Sequence, residues 1–419
     1  MRFTSPPGVF DLLPEESREV WKSTYLWQYL EEIFRKISHR YGFREIRTPL
    51  LEKQELFHRS VGETSDVVSK EMYLLQDKGG RHLALRPEGT APAVRAFLEH
   101  QLYEKKGCCK LFYVAPMFRY ERSQAGRYRQ HHQWGTEAVG SGAPEQDAEV
   151  IDLLWSAYQQ LGLQHMTLFL NSLGDEADRL AFKKALIDYL LPLRERLSRE
   201  SQSRLETNPL RILDSKDPTD REILLGAPSL LNFLSREAKE HFSLVQERLS
   251  ALSIPYQIQP SLVRGLDYYN RTVFEVAVMD PNQPLGSQNS LGGGGRYDRL
   301  IQELGGPSLP AVGFGTGIER ILQTLLHQQA PLPPPPKTEL LLLALGQEAK
   351  AKAFSLLHRF RKEGRSVEMD FTDRKLAKLL QEASHRGIPH VGILGSDELA
   401  AGHLLIKEMA TGDTHTYTF

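Results

Sequence analysis

The sequence predicts an α+β domain carrying a helical insertion, followed by a small α/β domain on a proline-rich spacer. Three observations carry that expectation. The 419 residues exceed the roughly 250–300 at which one hydrophobic core stops growing, so at least two domains are needed. Up to about residue 326, β-type and helical stretches come in blocks, whereas beyond residue 337 they alternate as in a mainly parallel sheet. Between them, QQAPLPPPPK at 328–337 must run extended, because each proline fixes φ and lacks an N–H. The expected boundaries are 1–326 with the insertion at about 174–252, a linker at 327–337, and a last domain at 338–419.

Along the chain, Val20, Trp21, Leu26, Leu30, Ile33, Phe34 and Ile37 recur at helical spacing, predicting a helix over 15–41 with Pro14 at its start and Gly42 at its end. Phe43–Arg47 reads as a strand stopped by Pro49. Short β-type segments follow at Met72–Leu75, Leu83–Leu85, Leu111–Tyr120 and Gln130–Val139, then a helix at Pro144–Leu161 and a strand at Thr167–Asn171. The insertion reads as helical, including Leu180–Leu191 and Leu230–Leu249. Strand signals return at Tyr256–Gln259 and Thr272–Met279.

Composition excludes several classes. Hydrophobic content of 40% and charged content of 25% fit a globular chain and not a disordered one. A formal net charge of -1 gives no overall nucleic-acid signal, so any RNA contact rests on local basic patches. The two cysteines, Cys108 and Cys109, are adjacent, which suits neither a relaxed disulfide nor zinc-ligand spacing. The apolar run Leu340–Leu345 is far short of the ~20 residues of a membrane span, and the N-terminus has no apolar leader core. The expected location is the cytoplasm.

Five stretches carry chemistry. In Phe112–Gly140, two strands flank a turn bearing Arg119, Arg122, Arg127 and Arg129. Side-chain alternation allows Arg119, Glu121, Gln133 and Glu137 to share a sheet face, which suits a zwitterion beside a phosphate. The plainer alternative is a solvated hairpin. RPEGT presents Glu88, Gly89 and Thr90, a carboxylate and hydroxyl matching an ammonium group, though taken alone it reads better as an ordinary turn. VRGLDYYNRTVFEV places Arg264 and Asp267 before Tyr268 and Tyr269. The tyrosines are either core packing or the wall of a planar-ligand pocket, and Arg264 is either a working cation or the ion-pair partner of Asp267. LGGGGRYDRL, with Gly293, is either a flexible surface loop or a ligand-facing wall. VGFGTGIERIL reads as a glycine-bearing turn opening a helix, with Arg320 one turn in, a combination suited to phosphate. Its glycine spacing is GxGxG, so the dinucleotide fingerprint GxGxxG is absent from it.

In this order, these stretches resemble the class II aminoacyl-tRNA synthetases, and two resemble the histidyl type specifically. The segment ending at Pro49 looks like motif 1, MFRYER with its returning strand like motif 2, and GFGTGIERI like motif 3. RGLDYYNRTVFE and GGRYD look like the two histidine signatures. The resemblance implies an antiparallel catalytic sheet flanked by helices, a C-terminal anticodon-binding domain, and a homodimer. It further implies activation of L-histidine by ATP, with Mg²⁺ travelling on ATP, and transfer to histidine tRNA. By the same resemblance Arg119 and Arg264 hold the α-phosphate, Arg320 the terminal phosphate, and Glu121 lies near adenine. Glu88, Thr90 and Gln133 take the histidine ammonium and nearby polar atoms. Glu137 and Tyr269 read the imidazole nitrogens, with Gly89, Tyr268 and Gly293 lining the pocket. Arg122 and Gln124 fall where the family meets the extra 5′ guanosine of its tRNA, in a loop that departs from the usual pattern at Ser123. A regulatory subunit of histidine biosynthesis shares this fold, but such chains usually lack the last domain and have degraded signatures. A non-catalytic RNA-binding or sensor module on the fold would normally sit in a longer chain.

Overall fold

The computed structural model describes every residue except 1–2, 16–17, 63–64, 66, 105–106, 122–125, 281–288 and 373. It resolves into two compact units, Met1–Pro333 and Pro334–Phe419.

In the first unit, helix α1 (Thr24–Arg40) buries Leu26, Trp27, Leu30, Ile33, Phe34 and Ile37 as one stripe. It begins later than its periodicity implied. Residues Val20–Lys22 form a separate tight turn, and Leu13 bridges Ser23. The cause is tertiary: Phe10 packs on Trp21 at 4.9 Å and on Tyr128 at 5.0 Å, so the leading segment caps the core instead of extending the helix. There follow β1 (Arg44–Glu45), β2 (Leu51–Lys53), α2 (Gln54–Val61), β3 (Tyr73–Gln76), β4 (His82–Leu85), α3 (Thr90–Glu99), β5 (Cys109–Phe118) and β6 (Gln130–Val139). Next are α4 (Pro144–Leu161) and β7 (Met166–Ser172). The inserted helices are α5 (Glu176–Leu190), α6 (Arg199–Thr207), α7 (Pro218–Leu224) and α8 (Arg236–Ala251). The helix expected over 230–249 is broken: Leu230–Phe233 make one turn and α8 restarts where the Ser235 hydroxyl accepts from the Ala238 N–H. The unit closes with β8 (Tyr256–Ile258), β9 (Asn270–Val278), β10 (Ser290–Arg296), α9 (Leu300–Glu303), β11 (Ala311–Gly317) and α10 (Ile318–His327).

Among the described residues, the large sheet runs β1-β5-β6-β11-β10-β9-β7-β8. Its six central strands are antiparallel, while β1 and β8 join the edges in parallel, so the sheet is mixed and not purely antiparallel. Of the two alternatives for LGGGGR the surface loop falls, since the glycine run is the buried strand β10 between β9 and β11. One expectation is corrected here. The glycines of VGFGTG lie in strand β11, not in a turn, and the helix begins only at Ile318.

The second unit contains β12 (Leu340–Ala344), α11 (Gln347–Lys362), β13 (Val367–Met369), α12 (Leu376–His385), β14 (His390–Leu394), α13 (Ser396–Ala401), β15 (His403–Glu408) and β16 (Thr414–Thr418). Its sheet order is β13-β12-β14-β15-β16. Only the β12 pairings are parallel; β15 and β16 return as a hairpin around Gly412 at φ 83°, which makes this sheet mixed rather than mainly parallel. Among the described residues, no helix is long and apolar enough to cross a membrane.

Candidate active site

The central strands carry the chemistry because their alternation puts every second side chain on one face. His131, Gln133, Gly135 and Glu137 of β6 oppose Met117, Ala115, Tyr113 and Leu111 of β5. On this face a cavity of about 220 Å³ is lined by residues that include Arg119, Glu121, His131, Gln133, Arg264 and Arg320. A neighbouring cavity of about 700 Å³ shares Arg119, Glu121 and Arg264, adds Tyr269, and reaches Ser198–Asp217 of the insertion.

Arg119 and Glu121 enter differently from the expected common strand face, since β5 stops at Phe118. The Arg119 N–H donates to the Arg129 carbonyl at 2.9 Å, and the Glu121 N–H to the Arg119 carbonyl at 2.9 Å, so the chain turns and delivers Glu121 from a bend. The Arg119 Nε donates to the Pro87 carbonyl at 2.8 Å, fastening the hairpin to the RPEGT turn. Arg320 is oriented by the carbonyls of Gly126 and Ser290, each at 2.9 Å. Its neighbour Glu319 accepts from the His132 N–H at 2.8 Å.

Arg264 does not pair with Asp267 as the plain alternative required. Its Nη1 donates to Glu275 of β9 at 2.9 Å, while Asp267 accepts from Asn208 at 3.1 Å. The Arg264 Nε is buried and has no hydrogen-bond partner among the described residues, an orphan donor that a bound anion would satisfy. Burial alone would lower the Arg264 pKa, but Tyr269 and Glu275 outweigh it and hold the charge. Four arginines, Arg119, Arg127, Arg264 and Arg320, therefore line one cavity.

A separate cluster, which lines neither cavity, is built of buried oxygens. Both oxygens of Glu88 accept backbone N–H groups at the start of α3, from Thr90 and from Ala91, and burial raises its pKa. Glu137, 1% exposed, accepts from the Tyr113 hydroxyl at 3.2 Å and from the Tyr297 hydroxyl. Burial pushes its carboxyl up to about 8, against the pull of Tyr297 and Thr90. The rings of Tyr268 and Tyr269 lie 4.5 Å apart, and Tyr268 meets Tyr297 at 5.7 Å. Glycine is required at two of these walls. A Cβ on Gly293 would come within 2.5 Å of the Phe274 carbonyl oxygen and 3.0 Å of the Arg264 Nη1, and one on Gly313 would overlap the Glu137 carboxylate. Gly89 backs directly onto the Tyr113 ring.

The structure thus brings Arg119, Glu121, Gln133, Arg264, Tyr269, Gly293 and Arg320 to the two cavities, whereas Glu88, Gly89, Thr90, Glu137 and Tyr268 line neither. Glu88, Thr90, Glu137 and Tyr268 form a buried cluster that Tyr269 joins to the larger cavity. Arg122 and Gln124 lie outside the described residues. Sequence reasoning missed His131, Tyr113, Tyr297 and Glu275. His131 and Tyr113 could have been found, since both fall on the alternation that carries Glu137. His131 is held neutral, its pKa well below 6.5, by burial and by Arg119 and Arg320. Among the described residues, no group of three or more His, Cys, Asp or Glu side chains is placed to hold a metal.

Clustered cations lining a cavity suit a polyphosphate, and the buried, hydrogen-bonded carboxyls of the cluster that includes Tyr269 suit a small polar zwitterion. The comparisons agree in kind. Residues 8–321 match the family described as Histidyl-tRNA synthetase, and residues 339–419 match the Anticodon binding domain. The histidine–tRNA ligase of Protochlamydia amoebophila is 54% identical over 418 residues, covering 100% of this chain and 98% of that one. The crystal structure of apo S. aureus histidyl-tRNA synthetase superposes with a TM-score of 0.83 at 35% identity, covering 100% of this chain and 97% of the other. An ATP phosphoribosyltransferase regulatory subunit/histidyl-tRNA synthetase from Bacillus halodurans shares the fold, with a TM-score of 0.67 at 22% identity over 94% of this chain and 99% of its own.

Proposed function

The chain belongs to the histidyl-tRNA synthetase family, aminoacyl-tRNA ligases that join histidine to tRNA, and from that premise we propose how its cavities are used. The carrying observation is the meeting of Arg119, Arg264 and Arg320 at one cavity, with Tyr269, a member of the Glu88–Glu137–tyrosine cluster, lining the cavity beside it. A histidine carboxylate oxygen attacks the α-phosphorus of ATP, pyrophosphate leaves, and the adenylate then passes histidine to the 3′-terminal hydroxyl of tRNA while AMP departs. Arg119 and Arg264 hold the α-phosphate, where negative charge gathers, and Arg320 holds the terminal phosphate. Fixed cations lower such a barrier because they need no reorganisation as charge develops. Mg²⁺ arrives as part of the MgATP substrate, in keeping with its preference for phosphate oxygens and water. Glu121 lies toward adenine. Glu88, Thr90 and Gln133 take the ammonium, and Glu137 and Tyr269 read the imidazole from a wall that includes Gly89, Tyr268 and Gly293. Arg122 and Gln124 meet the 5′ end of the tRNA. The cytoplasm is the compartment where this work is done.

We assign residues 1–326 to catalysis and 338–419 to the anticodon. ATP–pyrophosphate exchange that requires added histidine tests the activity directly. Deleting the residues after Pro336 is expected to leave that exchange within about twofold and to lower tRNA charging by about tenfold or more, because every proposed chemical group precedes the linker. Loss of exchange in a folded truncation would overturn the assignment. The segment ending at Pro49 is assigned to a homodimer interface. Leu51 and Leu75 remain exposed on the same face of the β2-β4-β3 sheet, apolar surface that a second copy would cover. Sedimentation at micromolar concentration is expected to give twice the 47.6 kDa chain mass, and the monomer mass would contradict it.

A further inference from the structure

We propose that the first inserted helix is a positioning element for the histidine pocket: Arg179 and Asp175 of the α5 region aim Tyr269 by gripping the backbone and side chain that follow it. The inference rests on the reading of Tyr269 as a contact to the imidazole.

The segment Tyr269–Thr272 is tied at every residue. The Arg179 Nη1 donates to the Tyr269 carbonyl at 2.7 Å. Asn270 exchanges two hydrogen bonds with Asp298, donating from Nδ2 at 3.0 Å and accepting from the Asp298 N–H at 2.8 Å. Arg271 forks onto Asp175 with Nε at 2.8 Å and Nη2 at 3.0 Å. The Thr272 hydroxyl donates to the buried Asp147 at 2.8 Å. Arg271 itself sits in the left-handed region at φ 47°, a conformation side-chain-bearing residues adopt only when their surroundings over-determine it. Backbone bonds add to the grip, from the Arg271 N–H to the Gly174 carbonyl and from the Leu173 N–H to the Arg271 carbonyl.

Two different parts of the chain thus hold this kink. Asp298 and Asp147 belong to the catalytic core. Asp175 and Arg179 open the insertion, Asp175 as the cap of α5 and Arg179 in its first turn. A bidentate guanidinium–carboxylate pair fixes angle as well as distance, and a charged donor on the Tyr269 carbonyl fixes the residue whose ring faces the larger cavity. A partly buried Arg–Asp pair is weak evidence for stability, since the charges lose water on burial. Its geometric specificity is what the tyrosine wall uses.

The test is the histidine and ATP dependence of pyrophosphate exchange in the full-length protein. Arg179→Met is expected to raise the histidine KM about tenfold, the effect of one lost charge-assisted hydrogen bond, with the ATP KM and the rate at saturating histidine within about twofold. Arg179→Lys, which still offers a donor to the same carbonyl, is expected to recover part of that rise. Asp175→Asn weakens the Arg271 fork without touching Arg179, and a several-fold rise is expected there too. It also carries the test if Arg179→Met does not fold. A staple that only stabilises the fold predicts lower melting temperatures with an unchanged histidine KM in both Arg179→Met and Asp175→Asn, and that result overturns the proposal. Tyr269→Phe separates the premises. A raised histidine KM there with wild-type values in Arg179→Met and Asp175→Asn overturns the positioning role alone, whereas a wild-type KM in Tyr269→Phe overturns the pocket reading and this inference with it.

Discussion

Replacing Arg264 by alanine is expected to slow histidyl-adenylate formation by about 10²–10³ at saturating ATP and histidine, the usual consequence of removing one fixed donor from a developing charge. Arg264 borders both cavities, its Nη1 is committed to Glu275, and its buried Nε lacks a partner among the described residues. A group already held by Glu275 needs little rearrangement to meet an α-phosphate, so its effect belongs to the transition state more than to ATP binding. The competing account makes Arg264 only the structural partner of Glu275. It predicts a lower melting temperature, from the carboxylate left unpaired, with near-normal kinetics in the folded fraction. Lysine keeps the charge but not the planar fork, so it can satisfy Glu275 or the phosphate but not both in the same geometry, and only partial recovery is expected. Single-turnover adenylate formation decides the matter. A rate within about threefold of wild type, less than 1 kcal/mol of barrier, would sink the catalytic role.

The partner of Arg264 also shows where sequence reasoning stops. Asp267, three residues away, was the near candidate, yet Glu275 is the partner because the chain doubles back along β9, and no local spacing encodes that return. The β5–β6 hairpin was legible, since period-two alternation over Phe112–Gly140 survives in the register that places Gln133 and Glu137 on one face. Tyr113 and His131 lie on that same alternation and were legible in principle. The glycines of β10 and β11 were not, because a residue without a side chain has no hydrophobic period. Only packing shows that Gly313 gives up its Cβ to admit Glu137. Helix α1 was visible as a stripe but not its start, which the Phe10–Trp21–Tyr128 cluster decides through contacts distant in sequence.

Glu137→Gln is expected to lower kcat/KM for histidine by about 10²-fold, at the upper end for losing a hydrogen bond to a charged group, while leaving the ATP KM within about twofold. The glutamine has the same shape, and its one carbonyl oxygen still accepts from one of the two tyrosine hydroxyls while its NH2 faces the other as a donor, so the fold is spared the cavity that alanine would leave. What it cannot do is exchange a proton with an imidazole. The same substitution has a signature in stability that needs no substrate. Burial raises the Glu137 carboxyl from 4.5 to about 8, so between those values the folded chain holds a proton that the unfolded chain has released. Stability from this group is therefore fullest below about pH 4.5 and declines as pH rises toward 8, at no more than about 1.4 kcal/mol per pH unit. Glutamine does not ionise, so its melting temperature should gain on wild type as pH rises from 5 to 8.5. A Glu137 that serves only to brace the two tyrosines predicts that same pH signature with an unchanged histidine KM. A flat difference across pH would mean that the carboxyl is not held protonated in the unliganded fold. Because the two readouts are independent, a selective rise in histidine KM together with a pH-dependent stability difference assigns Glu137 both roles: a carboxyl kept neutral by burial, and the group that distinguishes an imidazole from an apolar ring of the same size.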